Sequence, residues 1–292
     1  MFILHPSAFI LPKSFILLKI SDFVFKKSLG QNFLVDKNIA ARGVRELGPR
    51  ALETVLEIGP GRGALTAPLI ESGAQVIALE FDRELVPNLT AQFGMHDNFR
   101  VIQCDALKTD YCSLLAPSEN ARLIANLPYN IATALLQRLI EQRNCITEMV
   151  VMLQREVVAR ITAQPSTPDR GYLSVIVQAY CEAEALFDVS PEAFRPTPKV
   201  WSTVVRLTGK PPAEIEITDH LLFSKILSAS LAQRRKTISN NLRSAPHELL
   251  QVIERTGGVL TLLRSASIDA ARRAETLTNK EWADLTQLIS RA

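Results

Sequence analysis

The chain has 292 residues, 47% of them hydrophobic and 22% charged, a composition that suits a globular protein with one large domain and a smaller second one. The cysteines form no C-x-x-C pair and the histidines complete no ligand cluster, which excludes a structural zinc site and leads us to expect reduced thiols. The cysteines are Cys104, Cys112, Cys145 and Cys181.

The formal net charge is only +3, but it is unevenly distributed along the chain. Residues 206–292 hold 13 Lys and Arg against 9 Asp and Glu, whereas residues 1–205 hold 20 against 21. A basic C-terminal part is compatible with a nucleic-acid partner, although an excess of this size is more often a solvated surface.

Residues 1–24 are apolar and repetitive, but they contain no unbroken apolar run of 18 residues. The order of basic residues, apolar stretch and small-residue cleavage site that marks a secretory signal is absent as well. We therefore expect a disordered or misassigned extension, no membrane partner and a cytoplasmic location.

Strand and helix patterns alternate from residue 37 to residue 207. Helices are predicted at residues 37–47, with Asp36 as the N-cap, and at 64–72, 83–93, 131–142, 154–163 and 173–180. Strands are predicted at 54–58, 75–80, 99–104, 123–125, 147–153, 183–189 and 201–207. This order predicts an α/β fold with a mostly parallel seven-stranded sheet, covered by helices on both faces.

Residues 208–212 form a Gly- and Pro-containing linker, and the apolar spacing after it is helical. We therefore divide the chain into a domain at residues 25–210 and a small helical domain at residues 211–292. A basic run, Q-R-R-K-T at residues 233–237, is expected within or at the end of an amphipathic helix. This run is either a phosphate-contacting patch or a solvated helix face.

A glycine-rich turn follows the strand at residues 54–58, where a ligand can approach the backbone closely. Its spacing, Gly59, Gly61 and Gly63, is shorter than the dinucleotide pattern. Glu80, 21 residues after Gly59, closes the next strand, where a carboxylate can accept both hydroxyls of a ribose, and Asp105 follows the third strand. Glu57 would repel a phosphate, so these residues favour S-adenosyl-L-methionine, which has none, over a nucleotide-free turn.

The motif N-L-P-Y at residues 126–129 follows another apolar run. Pro128 disfavours a helix there, so the chain leaves the strand as a rigid loop. The Asn126 amide oxygen and the Leu127 carbonyl can accept hydrogen bonds from an exocyclic amine, and Tyr129 supplies a face on which a base can stack. Taken alone, the motif is more often a simple turn at the end of a strand.

Together these motifs resemble those of the ribosomal RNA adenine dimethyltransferases, from about Lys26 to the C-terminus, and most closely those of the bacterial small-subunit (16S) branch. The motifs are G-Q-N-F-L at residues 30–34, E-I-G-P-G-R-G at 57–63, Glu80, Asp105, N-L-P-Y at 126–129 and F-R-P-T-P-K-V at 194–200. The resemblance implies a Rossmann-like class I methyltransferase sheet. It also implies N6-dimethylation of two adjacent adenosines near the 3′ end of 16S ribosomal RNA, with S-adenosyl-L-methionine as the cofactor.

The resemblance also implies roles for individual residues. Cofactor contacts are expected from Asn32, Leu34, Gly59, Gly61, Glu80, Asp105 and Asn126. Catalytic positioning is expected from Asn126, Leu127, Tyr129 and Phe194, with the two rings enclosing the target adenine, and RNA binding from Arg234, Arg235 and Lys236. The motif around residues 233–237 resembles the family's helical domain, but Leu231 stands where an aromatic residue is expected.

The expected partner is 16S ribosomal RNA in the immature small subunit, bound by a monomer without a metal ion. Two alternatives remain open from the residues. One is a 23S ribosomal RNA adenine methyltransferase of the macrolide-resistance type, which shares the cofactor and loop motifs. The other is a ribosome-assembly or transcription factor that keeps the fold without the chemistry.

Overall fold

The structure is a computed structural model that describes residues 30–118, 120–211 and 217–292. The predicted extension at residues 1–24 lies outside the described residues. Nine strands are present in the described part of the chain: β1 Phe33–Leu34, β2 Thr54–Ile58, β3 Gln75–Glu80, β4 Phe99–Gln103, β5 Ala121–Asn126, β6 Ile146–Gln154, β7 Cys181–Val189, β8 Phe194–Arg195 and β9 Ser202–Gly209.

Twelve α-helices accompany these strands within the described ranges. They are α1 Lys37–Leu47, α2 Thr66–Glu71, α3 Val86–Phe93, α4 Tyr111–Leu115, α5 Ala132–Glu141, α6 Arg155–Thr162, α7 Tyr172–Tyr180, α8 His220–Ser230, α9 Ile238–Arg243, α10 His247–Glu254, α11 Val259–Ser265 and α12 Asn279–Ser290. Asp36 caps α1 as predicted, because its side chain accepts hydrogen bonds from two backbone amides of the first turn. Pro87 lies in the first turn of α3, where its missing N–H leaves no intrahelical bond unmade.

Seven strands form one sheet in the order β4-β3-β2-β5-β6-β9-β7. The five strands from β4 to β6 are parallel to one another, and β9 is antiparallel to both of its neighbours. This arrangement confirms the predicted α/β fold with a mostly parallel seven-stranded sheet. Because β2 leads to β3 on one side and β5 leads to β6 on the other, the crevice beyond their carboxyl ends is the position where open α/β sheets bind ligands.

The side chains of the central strands point alternately to the two faces of the sheet, and an apolar core covers each face. Leu56 of β2 and Leu123 of β5 pack into the core on one face of the sheet. Their neighbours Val55 and Ile124 pack into the core on the other face. The two central strands therefore read as continuous apolar runs, as expected for parallel strands that are covered on both sides. This covered sheet is the rigid support for the loops at its carboxyl edge.

The helices after residue 217 share one apolar core with the face of the sheet that carries α5 and α7. Arg170 connects the two parts: its buried guanidinium donates to Ala163 O at 2.9 Å, to Leu277 O at 3.3 Å and to Asn279 Oδ1 at 2.8 Å. The Arg234 guanidinium of the C-terminal part also donates to the backbone carbonyl of Arg170, at 3.0 Å. The domain boundary at residues 210 and 211 stays a prediction.

Three sequence expectations differ from the structure. Thr208 and Gly209, assigned to the linker, end β9, where Thr208 pairs with Glu182 and Gly209 with Cys181, because the sheet continues farther than the apolar pattern. Residues 233–237 lie in the turn after α8 and not in a helix, since Thr237 is the N-cap of α9.

The third difference concerns the cysteines, which were expected to be reduced. Cys112 and Cys145 form a disulfide, whereas Cys104 and Cys181 are free. The two bonded residues are 33 positions apart in the sequence, but folding places α4 against the short helical turn at Arg143–Cys145 and brings their Cα atoms to 5.3 Å. No local sequence pattern marks this proximity.

Candidate active site

The predicted site residues lie in order along the carboxyl edge of the sheet. Asp105 follows β4, Glu80 ends β3, Gly59 follows β2 and Asn126 ends β5, and these are four adjacent strands. The strand ends are nearly level, because Ile58 pairs with both Leu79 and Ala125. An elongated ligand that lies across this edge meets the side chains in that sequence.

The glycine turn after β2 uses backbone conformations that other residues adopt only with strain. Gly59 has φ +69° and Gly61 has φ +59°. A Cβ on Gly61 would lie 2.9 Å from a ring carbon of Phe33, so only glycine lets this segment approach so closely. The turn therefore presents bare backbone at the crevice, as the spacing of the glycines predicted.

Glu80 is held by backbone amides on both sides of the crevice. Its Oε2 accepts a hydrogen bond from Gly61 N at 3.1 Å, and its Oε1 accepts one from Asp82 N at 2.8 Å. The side chain is buried, and this burial raises the pKa of the Glu80 carboxyl, an effect that the two amides oppose. Each oxygen has a second lone pair, so the carboxylate can still accept from two ligand hydroxyls.

Glu57 lies under the same turn and is only 1% exposed. Thr66 donates a hydrogen bond to its Oε2 at 2.7 Å, whereas its Oε1 has no partner among the described residues. Burial raises the pKa of Glu57 to about 8, and the nearby charge of Glu80 adds to the increase. Glu57 is therefore mostly neutral near pH 7, contrary to the sequence expectation that its charge repels a phosphate, and Glu80 is the carboxyl whose oxygens face the glycine turn. A hydrogen-bond acceptor for a ribose beside bare backbone suits a nucleoside cofactor. S-adenosyl-L-methionine fits this description.

The N-L-P-Y loop is fixed at each of its residues. The Asn126 side chain donates from Nδ2 to Asn32 O at 3.0 Å, which leaves its Oδ1 as the acceptor end of the amide. Leu127 N donates to Met152 O at 3.2 Å, and the Pro128 carbonyl accepts from Ile131 N at 3.2 Å. The loop is thus hydrogen-bonded on both sides, and it is not helical, as the proline predicted.

Tyr129 completes the loop with a hydrogen bond to a strand at the far side of the site. Its Oη lies 2.7 Å from Ser202 Oγ at the start of β9. Burial raises the pKa of the Tyr129 hydroxyl, and the bond to Ser202 opposes this effect. The hydroxyl therefore holds the ring in place as a neutral phenol, and the stacking role of the ring face stays a prediction.

Residues 30–36 form a strap that runs from the loop after β3 to the strand β8. Gln31 Nε2 donates to Asp82 Oδ2 at 3.0 Å, next to Glu80. A few residues later, β1 pairs with β8, with Leu34 opposite Phe194. One short segment therefore contacts the loop after β3 and the strand that carries the second predicted aromatic residue.

The structure brings seven of the ten residues predicted for catalysis and cofactor binding to one cleft and places the other three elsewhere. Asn32, Gly59, Gly61, Glu80, Asn126, Leu127 and Tyr129 line that cleft. Asp105 is half-buried at the next strand end, where its Oδ1 accepts from Leu107 N. Leu34 and Phe194 are buried in the core, and Phe194 is 0% exposed, so its ring contacts no base in this conformation. Its stacking role stays a prediction and requires β1 and β8 to rearrange.

Two features of the site were not predicted from the sequence. One is the pairing of Gln31 with Asp82, and the other is the Ser202 anchor of Tyr129. The G-Q-N-F-L motif contains Gln31, so that motif was the available signal for the first pair. Ser202 carries no comparable signal, because a serine at the start of a strand is ordinary.

The predicted RNA-binding residues differ in their surroundings. Arg234 donates to the backbone carbonyls of Pro168 and Arg170, so its guanidinium links the turn to the loop before α7. Arg235 and Lys236 are exposed in the same turn. Arg273 lies beside this turn, because it forms a β-bridge with Thr237.

The described residues contain neither a membrane-spanning helix nor a cluster of metal ligands. No helix there is long and apolar enough to cross a membrane. Likewise, no group of three or more His, Cys, Asp or Glu in the described ranges is arranged to hold a metal ion.

Comparison with known proteins identifies relatives that cover nearly the whole chain. The proteins described as ribosomal RNA small subunit methyltransferase A from Saccharophagus degradans and Geobacillus thermodenitrificans are 42% and 40% identical to it. These matches span 90% and 91% of this chain and 94% and 92% of the relatives.

Solved structures show the same fold. A dimethyladenosine transferase from Plasmodium falciparum aligns with a TM-score of 0.73 at 23% identity, covering 87% of this chain and 95% of its own. The 23S rRNA methyltransferase ErmE aligns with a TM-score of 0.62 at 24% identity, covering 89% and 100%. In addition, the family model for ribosomal RNA adenine dimethylase matches residues 22–285. The chain therefore belongs to the ribosomal RNA adenine dimethylase family.

Proposed function

We propose that this protein uses S-adenosyl-L-methionine to dimethylate N6 of two adjacent adenosines near the 3′ end of 16S ribosomal RNA. The observation that carries the proposal is the position of the N-L-P-Y loop. Asn126 and Tyr129 are fixed at the end of β5, beside the glycine turn after β2 and in the same cleft as Glu80. An amine acceptor and a stacking ring thus adjoin a site suited to a nucleoside cofactor.

The cofactor half of the site follows from the donors and acceptors at the strand ends. Glu80 accepts the ribose hydroxyls, Asp105 accepts from the adenine amino group, and the backbone around Gly59 and Gly61 receives the methionine portion. Asn32 and Leu34 of the strap cover the cofactor. When bound, S-adenosyl-L-methionine supplies a methyl group that is already activated on a sulfonium, so the protein needs no nucleophile of its own.

The base half of the site positions the acceptor amine. The Asn126 Oδ1 and the Leu127 carbonyl accept hydrogen bonds from N6 of the target adenine, which turns the amine and directs its lone pair. Stacking on Tyr129 holds the base, and Phe194 stacks on its other face once β1 and β8 rearrange. Positioning of this kind accounts for much of the rate in a reaction between two bound groups. The amine loses its proton to solvent, so no general base is assigned.

The proposed partner is the immature small ribosomal subunit, bound in the cytoplasm by a monomer. Arg235 and Lys236 are exposed on the turn between α8 and α9, where they contact RNA phosphates. The names of the curated relatives support the small subunit over the large one.

A methylation assay with mapped products tests this function. Purified protein is incubated with cofactor labelled in its methyl group and with small subunits, immature or mature, from cells that lack this modification. We expect label on two adjacent adenosines of 16S ribosomal RNA, located by primer extension, with immature subunits preferred. A parallel reaction contains naked 23S ribosomal RNA, and label in that RNA would favour the macrolide-resistance type. Binding to subunits without any label would favour the assembly factor.

A further inference from the structure

Trp201 is a large aromatic residue at the edge of the candidate active site, and none of the roles described above uses it. It lies directly before β9, and 47% of its side chain is exposed. The other tryptophan of the chain, Trp282, is 0% exposed and belongs to the apolar core. Burying an indole ring is favourable, so a ring left half in water next to a nucleic-acid site is available to a partner.

The backbone of Trp201 is fixed close to the target-base site. Ser202, the next residue, holds the Tyr129 hydroxyl at 2.7 Å, and consecutive Cα atoms are about 3.8 Å apart. The Trp201 carbonyl accepts a hydrogen bond from Arg155 N at 2.9 Å. Ser202 also pairs with Gln154, the last residue of β6, which places Trp201 at the carboxyl edge of the sheet. The Trp201 backbone therefore lies one residue from the serine that anchors the ring of Tyr129.

Exposed cations flank this tryptophan. Arg155 begins α6 with 64% of its side chain exposed, and its ion pair with Asp188 is long, at 3.9 Å. Lys199 is exposed two residues before Trp201. An aromatic ring between cations is the combination with which proteins bind single-stranded nucleic acid, because the ring stacks on a base while the cations contact phosphates.

We propose that Trp201 stacks on the base of a nucleotide next to the target adenosine. This inference rests on the proposed function. Tyr129 and Asn126 hold the base that receives the methyl group, and Trp201 holds the strand beside it. Stacking tolerates any base, so the same ring serves both adjacent targets as the strand moves by one nucleotide.

A binding cycle tests the stack directly. The proteins are the wild type, Trp201→Ala, Trp201→Phe and Met95→Ala, a control whose side chain is 93% exposed between α3 and β4, at the opposite edge of the sheet. The probes are a short single-stranded RNA with two adjacent adenosines and versions with an abasic site on either side of the target. Dissociation constants are measured by fluorescence anisotropy of the labelled RNA.

The expected outcome is a coupling between the ring and one neighbouring base. Trp201→Ala should weaken binding of the intact RNA by about 5- to 100-fold, whereas Trp201→Phe should stay within a few-fold of the wild type. One abasic probe should bind the wild type more weakly by a similar factor, with no further loss in Trp201→Ala. Equal losses on the abasic probes in both proteins would show that Trp201 contacts no base.

Tryptophan fluorescence provides a second readout, because Trp201 and Trp282 are the two tryptophans of the chain and only one is exposed. RNA should protect the acrylamide-accessible fraction of the wild-type emission, and Trp201→Phe should lack that fraction from the start. An accessible fraction that RNA leaves unchanged would count against the stack.

Methylation kinetics on small subunits distinguish a failure of the Trp201 stack from a failure of the proposed function. Trp201→Ala should lower kcat/KM by about 5- to 100-fold, mainly through KM, and Met95→Ala should match the wild type. If the wild type methylates ribosomal RNA and Trp201→Ala has the same kcat/KM, the role of Trp201 is refuted and the proposed function stands. Wild-type protein that methylates no ribosomal RNA overturns the proposed function itself.

Discussion

Replacing the buried carboxyl of Glu57 with an amide should flatten the dependence of the protein's stability on pH. Burial raises the pKa of Glu57 from 4.5 to about 8. Between these values the unfolded chain has lost a proton that the folded chain keeps, so the free energy of unfolding decreases as pH increases. The contribution of this group is fully present below pH 4.5 and is lost as the pH rises through 8.

The size of the effect follows from the same shift. A difference of one bound proton changes the free energy of unfolding by about 1.4 kcal/mol per pH unit. Over the pH range between the two pKa values of Glu57, the change is therefore at most about 5 kcal/mol. Because a buried site relaxes and admits water when it ionises, we expect about 2–3 kcal/mol. Glu57→Gln cannot ionise, and its amide oxygen can still accept from Thr66, so the substitution removes the titration and keeps that hydrogen bond.

Urea unfolding, followed by circular dichroism from about pH 5 to pH 8, measures this difference. The free energy of unfolding of Glu57→Gln minus that of the wild type should increase by about 2–3 kcal/mol across the range. Glu71→Gln is the control, because Glu71 ends α2 with an exposed side chain. Parallel curves for Glu57→Gln and the wild type would refute a buried carboxyl that stays protonated near neutral pH.

Three further substitutions test the proposed roles in methylation and RNA binding. Asn126→Ala should keep measurable cofactor binding by calorimetry while methylation falls by about 100-fold, and unchanged turnover would rule out the amide as the amine acceptor. Tyr129→Ala should reduce methylation more than Tyr129→Phe, because the ring face stacks; equal losses would assign the effect to the hydroxyl. Replacing Arg235 and Lys236 with Ala should reduce the salt slope of RNA binding by about 1.5–2, with Arg234 retained because its guanidinium binds backbone carbonyls. A slope that does not change would place this turn outside the interface.

The strands and helices that position the site were predictable from the sequence, because their signals are local. Apolar runs that end in Glu80 and Asn126 mark strands whose two faces are both covered, and Asp36 marks the start of α1. The glycines at 59 and 61 mark a turn that needs positive φ. Since parallel strands align their carboxyl ends, the meeting of these residues at one edge followed from the strand assignment alone.

The parts that were not predicted depend on contacts between distant segments. The Cys112–Cys145 disulfide requires α4 to pack against the turn before β6, and the Ser202 anchor of Tyr129 requires β9 to insert beside β6. The burial of Phe194, whose stacking role stays a prediction, depends on β8 pairing with β1 and on packing in the apolar core. In each case the local residues allow several partners, and the tertiary arrangement selects one.

In the proposed function, the strap formed by residues 30–36 determines which end of the Asn126 amide faces the target base. A carboxamide can present either its oxygen or its NH2 group, and only the oxygen accepts from an adenine amine. Because Asn32 O takes a hydrogen bond from Asn126 Nδ2 at 3.0 Å, the strap selects the accepting orientation. The same strap pairs with β8, whose rearrangement is needed to expose Phe194. If Phe194 stacks on the target base as proposed, β1 separates from β8 while the contact at Asn32 keeps the amide oriented, so the two ends of this short segment have distinct roles in the proposed function.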